Sequence, residues 1–224
     1  MTSENPDKET LPKNPWLTPR KRQKYQSFED LAAAETEGVD FHIRKRSGRS
    51  GIAVIAIHGG GIEPGTTEIA EAVAGDRHAF YTFSGLKQFR NFDLHITSRR
   101  FDEPRGEDLV KRSTTVLSIH GCGDTVPMIY IGGQNTELRR RIQTALEDAG
   151  FRVRKAVRFP GLSPMNICNR CLTGEGVQLE FCAGLRRMLF ENMARPVRKN
   201  PTPLFNRLVE ALRIALVEEP ATQI

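Results

Sequence analysis

The sequence predicts an α/β protein in which an open sheet is flanked by helices, and three stretches carry that expectation. Ile52-Ala53-Val54-Ile55-Ala56-Ile57 is an apolar run rich in β-branched residues, bounded by Gly51 and by the glycines after His58, and too short for an ordinary helix. Such an unbroken run suits a strand covered on both faces, as in parallel sheets. Thr66 to Gly75 then reads as a helix, with a hydroxyl cap, Glu68 in its first turn, Ile69 and Val73 four apart and a glycine stop. Thr115-Val116-Leu117-Ser118-Ile119-His120-Gly121-Cys122-Gly123 repeats the opening grammar, an apolar strand that again ends in His-Gly.

A chain of 224 residues can bury one sizeable core, and no break in composition calls for a second. We expect one domain over residues 25–220 behind a basic, flexible arm over residues 1–24, where Pro12, Pro15 and Pro19 accompany Arg20-Lys21-Arg22. The net charge of +6 suits a polyanionic partner, whether nucleic acid, an acidic polymer or an anionic surface. No run reaches the length of a membrane span, and Met1 to Pro15 lacks the apolar core of a signal peptide, so a cytoplasmic monomer is expected. Cys168-Asn169-Arg170-Cys171 has the spacing of a zinc ribbon or redox pair, but no second such pair completes it. Buried free thiols or one surface disulfide are expected of the four cysteines instead.

In chain order, Ser27 caps a short helix through Phe28-Glu29-Asp30-Leu31, and Phe41-His42-Ile43-Arg44 alternates like an edge strand with His42 at the surface. The glycines after His58 do not form a phosphate cradle: Thr66 stands where the Walker pattern needs its lysine, and Pro64 occupies the third glycine of the dinucleotide fingerprint. Tyr81-Thr82-Phe83 and Leu94-His95-Ile96-Thr97 read as strands joined by a basic segment with Lys87 and Arg90. His78 and His95 show no ligand spacing, so packing or surface roles are expected of them.

Asn135 caps an amphipathic helix to Gly150, with Leu138, Ile142, Ala145 and Leu146 on one face and Arg139, Arg140 and Arg141 toward water or a polyanion. Phe151 to Val157 alternates as a strand, and a loop around Pro160, Gly161 and Pro164 leads to Asn166-Ile167-Cys168-Asn169-Arg170-Cys171. In Gly176-Val177-Gln178-Leu179-Glu180-Phe181 the period of two turns Gln178 and Glu180 to the face opposite Val177, Leu179 and Phe181. The chain closes with helical stripes, Leu185, Met188 and Leu189, then Leu204, Leu208, Leu212 and Leu216 after Thr202-Pro203.

Two strands that end alike in histidine, with Glu63 five residues after the first, match a catalytic zinc shell of His58, Glu63 and His120 with one position left open. Such a metal polarises an amide carbonyl and acidifies water, while a separate carboxylate takes the proton and passes it to the leaving nitrogen. Glu180 is the candidate base, although a paired structural acid reads equally well from its strand alone. Arg170 and Arg186 bracket that strand as substrate carboxylate clamps or as ordinary surface cations.

Beyond this chemistry, the chain resembles the zinc-dependent poly-γ-glutamate hydrolases of phages and bacteria. The resemblance rests on Tyr25 with Ser27-Phe28-Glu29-Asp30-Leu31, the His58-Gly59-Gly60-Gly61-Ile62-Glu63-Pro64-Gly65-Thr66-Thr67-Glu68 core, and Leu94-His95-Ile96-Thr97-Ser98. It continues through Phe101-Asp102-Glu103-Pro104, Ser118-Ile119-His120-Gly121, Asn166-Ile167-Cys168-Asn169-Arg170 and Gly176-Val177-Gln178-Leu179-Glu180. It implies a zinc-carboxypeptidase-like α/β fold with a mixed sheet, one zinc ion on His58, Glu63 and His120, and Glu180 as general base. The implied substrate is poly-γ-glutamate, cut at its isopeptide amide, an anionic polymer that the positive charge suits; action outside the cell would follow lysis. The chain departs from the family pattern at Cys171, where glycine is favoured after Asn-Arg, and at Phe181-Cys182. The competing expectations are a zinc peptidase or N-acyl-amino-acid amidohydrolase with small substrates, and a nucleic-acid-binding protein, for which no groove-reading motif speaks.

Overall fold

The computed structural model describes residues 23–193 and 200–217, and the expected arm lies almost wholly outside them. Among these residues the strands are β1 (Phe41–Arg46), β2 (Ile52–Gly60), β3 (Ala79–Gly85), β4 (Thr115–Cys122), β5 (Ile129–Gly133), β6 (Val153–Lys155) and β7 (Val177–Cys182). The helices are α1 (Phe28–Ala32), α2 (Thr66–Ala74), α3 (Pro104–Lys111), α4 (Thr136–Asp148), α5 (Ala183–Leu189) and α6 (Pro203–Ala215). The strands make one open sheet in the order β1-β3-β2-β4-β7-β5-β6. It is mixed: β3, β2, β4 and β7 run parallel, β1 is antiparallel to β3, and β5 is antiparallel to β7. No described helix is long and apolar enough to cross a membrane.

Each face of the sheet carries its own core. Ile52, Val54, Leu117, Ile119, Leu179 and Phe181 pack with Ile69, Ile142, Leu189 and Leu212, the buried stripes of α2, α4, α5 and α6. Ala53, Ile55, Ile57, Tyr81, Phe83 and Val116 pack on the other face with Leu31, Leu94, Ile96 and Val110. Burial of β2 from Ile52 through Gly59 explains its unbroken apolar run: neither face meets water, so no polar alternation is required.

One irregularity in β2 positions the site. Ala56 pairs with Thr82 and Gly59 with Ser84, so three steps along β2 match two along β3. Strict alternation would send Ile57 and His58 to opposite faces, but the bulge lets His58 join the side of the sheet that holds Ile57 and His120. Gly59 is then pressed against the other side, where a Cβ would stand 2.1 Å from Thr67 Oγ1 and 2.4 Å from Thr82 Oγ1. Those hydroxyls bond each other at 2.9 Å, and Thr67 also accepts from the Gly60 N–H.

Several expectations change. Leu94 to Thr97 is not a strand: a 3-10 turn, Asn91–Leu94, precedes it, and the segment folds back over the sheet to cover it. Gly65, not a hydroxyl residue, caps α2, at φ 98°, while the Thr66 hydroxyl donates to the Glu63 carbonyl. Strand β6 is limited to three residues, and β5 and α3 had not been expected. Arg141 does not face water; its guanidinium donates to the Ala215 carbonyl at the end of α6. Met188 lies off the buried stripe that Leu185 and Leu189 form and is exposed. The Ser27 and Asn135 caps stand as expected, accepting from the Asp30 and Leu138 N–H groups. All four cysteines are free thiols.

Candidate metal centre

At the carboxyl ends of the central strands, β2 delivers His58, β4 delivers His120 and β7 delivers Glu180, which pairs in register with His120. Glu63 joins them from the tight turn after β2. In that turn the Glu63 N–H donates to the His58 carbonyl at 2.9 Å and Gly61 to Gly85 at 3.0 Å. Gly60 holds φ 63°, and a Cβ there would meet the Gly85 carbonyl at 2.5 Å, so only glycine serves.

The side chains converge. His58 Nδ1 lies 3.0 Å from Glu63 Oε1, His120 Nδ1 lies 3.6 Å from Glu63 Oε2, and the two Nδ1 atoms are 3.2 Å apart. The far nitrogens are engaged outside the cluster: His58 Nε2 is 2.7 Å from the Ile96 carbonyl and His120 Nε2 2.9 Å from Ser118 Oγ. A carbonyl only accepts, so His58 Nε2 donates to Ile96, and Nδ1 is the nitrogen left facing the cluster. Two imidazoles and a carboxylate facing one point in a buried place form a donor set that fits a divalent cation of the zinc class. The Gly121 N–H donates to Glu63 Oε2 at 2.8 Å and fixes the carboxylate further.

Electrostatics separate the two acids. Burial alone would raise the Glu63 carboxyl, but the charges and hydrogen bonds of His58 and His120 hold it well below the usual range. Burial pushes Glu180 up to about 8, against the pull of His120 and with a further push from Glu63. Burial would lower His120, yet its bond to Glu63 and the charges of Glu180 and Glu63 leave it raised.

His95, expected to pack or face solvent, stands in the site. Its ring stacks on His58 at 3.9 Å between centroids, and Phe92 stacks on its other neighbourhood at 4.8 Å. Burial and the neighbouring His58 charge lower it to about 3, so it stays neutral, with Nδ1 2.9 Å from Gln23 Nε2. Spacing gave no sign of this, because a fold-back of the chain brings His95 in; its place in the Leu94-His95-Ile96-Thr97-Ser98 motif was the available signal.

The arginines expected to clamp substrate are engaged with the protein. Arg186, on α5, donates to the carbonyls of Phe181 at 3.0 Å, Pro64 at 2.6 Å and Cys122 at 2.9 Å. It thus ties together the three segments that carry Glu180, Glu63 and His120. Arg170 bonds Glu107 and the carbonyls of Met165, Arg99 and Phe101. It lines a cavity of about 470 Å³ with Arg99, Arg100 and Asp102, which the histidine and glutamate cluster does not line.

Known proteins repeat this arrangement of sequence and fold. A family model described as poly-gamma-glutamate hydrolase matches residues 25–211. The chain is 38% identical over 169 residues to the UPF0714 protein YndL of Bacillus subtilis, covering 74% of this chain and 66% of that protein. It is 35% identical over 170 residues to the SPbeta prophage-derived UPF0714 protein YoqZ of the same organism, covering 75% of this chain and 61% of YoqZ. It therefore spans just under two thirds of the length of these two relatives. Among solved structures, a bacteriophage poly-gamma-glutamate hydrolase superposes with TM-score 0.84 at 36% identity, over 86% of this chain and 96% of that one. A zinc-free apo structure of YndL superposes with TM-score 0.81 at 33% identity, over 84% and 95% of the two chains.

Proposed function

Because the chain belongs to the poly-gamma-glutamate hydrolase family, we propose that it is a zinc-dependent amidohydrolase that cuts the γ-glutamyl amide bonds of poly-γ-glutamate. In this reading residues 25–220 are the catalytic unit and residues 1–24 a basic arm outside it. The observation that carries it is the convergence of His58, Glu63 and His120 next to the buried carboxyl of Glu180.

His58, Glu63 and His120 would hold one zinc ion, which when bound supplies Lewis acidity toward the amide carbonyl and makes water a stronger acid. Glu180 takes the proton from the attacking water and delivers it to the leaving nitrogen. Burial raises its carboxyl above the ordinary range, which favours its holding the proton between the two transfers. Glu63 stays anionic throughout, because His58 and His120 hold it well below the ordinary range. His95 stacks on His58 and Phe92 on His95, so the rings run outward from the centre as an aromatic wall. Arg186 keeps the turn of Glu63 and the ends of β4 and β7 in register, and its charge acts on Glu63 and Glu180. Arg99 and Arg100, beside an Arg170 that is tied to Glu107, offer positive charge for carboxylates farther along the polymer.

The test is Glu180→Gln, assayed for zinc content and for shortening of poly-γ-glutamate, with α-linked polyglutamate as control. The variant should retain zinc and lose roughly a hundredfold to ten-thousandfold in turnover. Undiminished hydrolysis would remove Glu180 from the mechanism, and wild-type protein that binds no zinc would remove the whole reading.

A further inference from the structure

The sequence drew attention to Cys168 and Cys171, but the fold brings a different pair of thiols together. Cys122 ends β4 and Cys182 ends β7, and the two are directly paired in the parallel ladder, one period beyond His120 and Glu180. Their sulfurs are 3.5 Å apart. A disulfide needs about 2.0 Å, whereas two thiolates on one tetrahedral zinc-class ion, each at about 2.3 Å, stand about 3.8 Å apart. The pair is spaced close to the second geometry.

The loop after β4 completes the surroundings. The Asp124 carboxylate shares the cluster, and every ligand atom of Cys122, Asp124 and Cys182 lies within 4.8 Å of the others. Main-chain N–H groups of Asp124 and Met128 face the Cys122 and Cys182 sulfurs, while the bond between the two thiols raises Cys122 and lowers Cys182. Tyr130 donates to the Asp124 carboxylate and orients it. The loop itself is pinned, with Cys182 N–H on the Met128 carbonyl at 3.0 Å and Gly184 N–H on the Asp124 carbonyl at 3.1 Å.

We propose that Cys122, Asp124 and Cys182 form a second metal site, for a thiophilic divalent cation of the zinc and cadmium class, beside the histidine and glutamate centre. The two thiols release their protons to solvent as the ion binds. The ligands are two sulfurs and one oxygen, which leaves a fourth position for water or for a substrate carboxylate. The soft donors sit about 7 Å further along the same strands, two residues at about 3.3 Å each, and because two protons leave as the divalent ion binds, the net charge of the site is unchanged.

The experiment is cadmium titration of the reduced full-length protein, with bound metal counted after desalting and thiolate-to-cadmium absorption followed in the ultraviolet. Wild type should retain two equivalents and show the thiolate band. Cys122→Ser with Cys182→Ser should retain one equivalent and lose the band. His58→Ala with His120→Ala should lose the other equivalent and keep the band, so failure at either centre is read separately. Asp124→Asn, which keeps both thiols, should keep the band but release the second ion to a competing chelator. A single equivalent with no thiolate band in wild type, a band that survives the double serine variant, or loss of both thiols to a disulfide under these reducing conditions would overturn the proposal.

Discussion

Three donors converge on the carboxylate of Glu35: Lys24, Tyr25 and Lys87. Burial works against ionisation there, but the bonds from Lys87, Tyr25 and Lys24 outweigh it and lower the carboxyl to about 2. A folded value below the unfolded one stabilises the protein above about pH 4.5, and that stability drains away as pH falls toward about 2. Its size is on the order of 3 kcal/mol. Glu35→Gln should therefore lower the urea midpoint near pH 7 and flatten its decline between about pH 4.5 and 2, read by fluorescence. The interaction also anchors Lys87, on the segment that leads to His95. That segment shows where single residues were legible and where they were not. The convergence of His58, Glu63 and His120 beside Glu180 was legible because each position follows from strand pattern and turn glycines. His95 could not, because only the fold-back onto His58 gives it a role, and alternation in Leu94 to Thr97 imitated a strand.

At the scale of elements, the bulge of β2 and the guanidinium of Arg186 determine whether the centre is assembled. Period-two reading predicts the strand from Ile52 to Ile57 but not the bulge that reorients His58, since Gly59 betrays it only against the hydroxyls of Thr67 and Thr82. Strand β5 was missed for a similar reason: Ile129 to Gly133 is short and gains its identity from antiparallel pairing with β7. Arg186 distinguishes two roles for one cation. Arg186→Lys keeps the charge but not the planar fork that reaches Pro64, Phe181 and Cys122 together. If its work is to hold those segments, zinc affinity measured by chelator competition should fall roughly tenfold to a hundredfold. A raised KM at unchanged zinc affinity would instead mark direct contact with substrate.

For the whole molecule, a net charge of +6 favours encounter with a long polyanion more than with a short one. Raising ionic strength from low to physiological should raise KM for poly-γ-glutamate severalfold and leave a short γ-glutamyl oligomer much less affected, measured as initial rates. Equal salt dependence for both would place the electrostatic attraction at the centre itself. The composition announced this charge plainly, and the α/β layering was visible in the alternation of apolar strands with capped helices. Strand order was not, because pairing partners lie far apart along the chain. That order has a consequence for biosynthesis. Among the described residues β7 is the last strand of the sheet in chain order, yet it sits between β4 and β5. Until residues 177–182 emerge, both neighbours keep an open hydrogen-bonding edge and Glu180 has no histidine to face. A nascent chain thus holds the two histidines early and Glu180 late, and the candidate centre is complete only when the sheet closes at its middle.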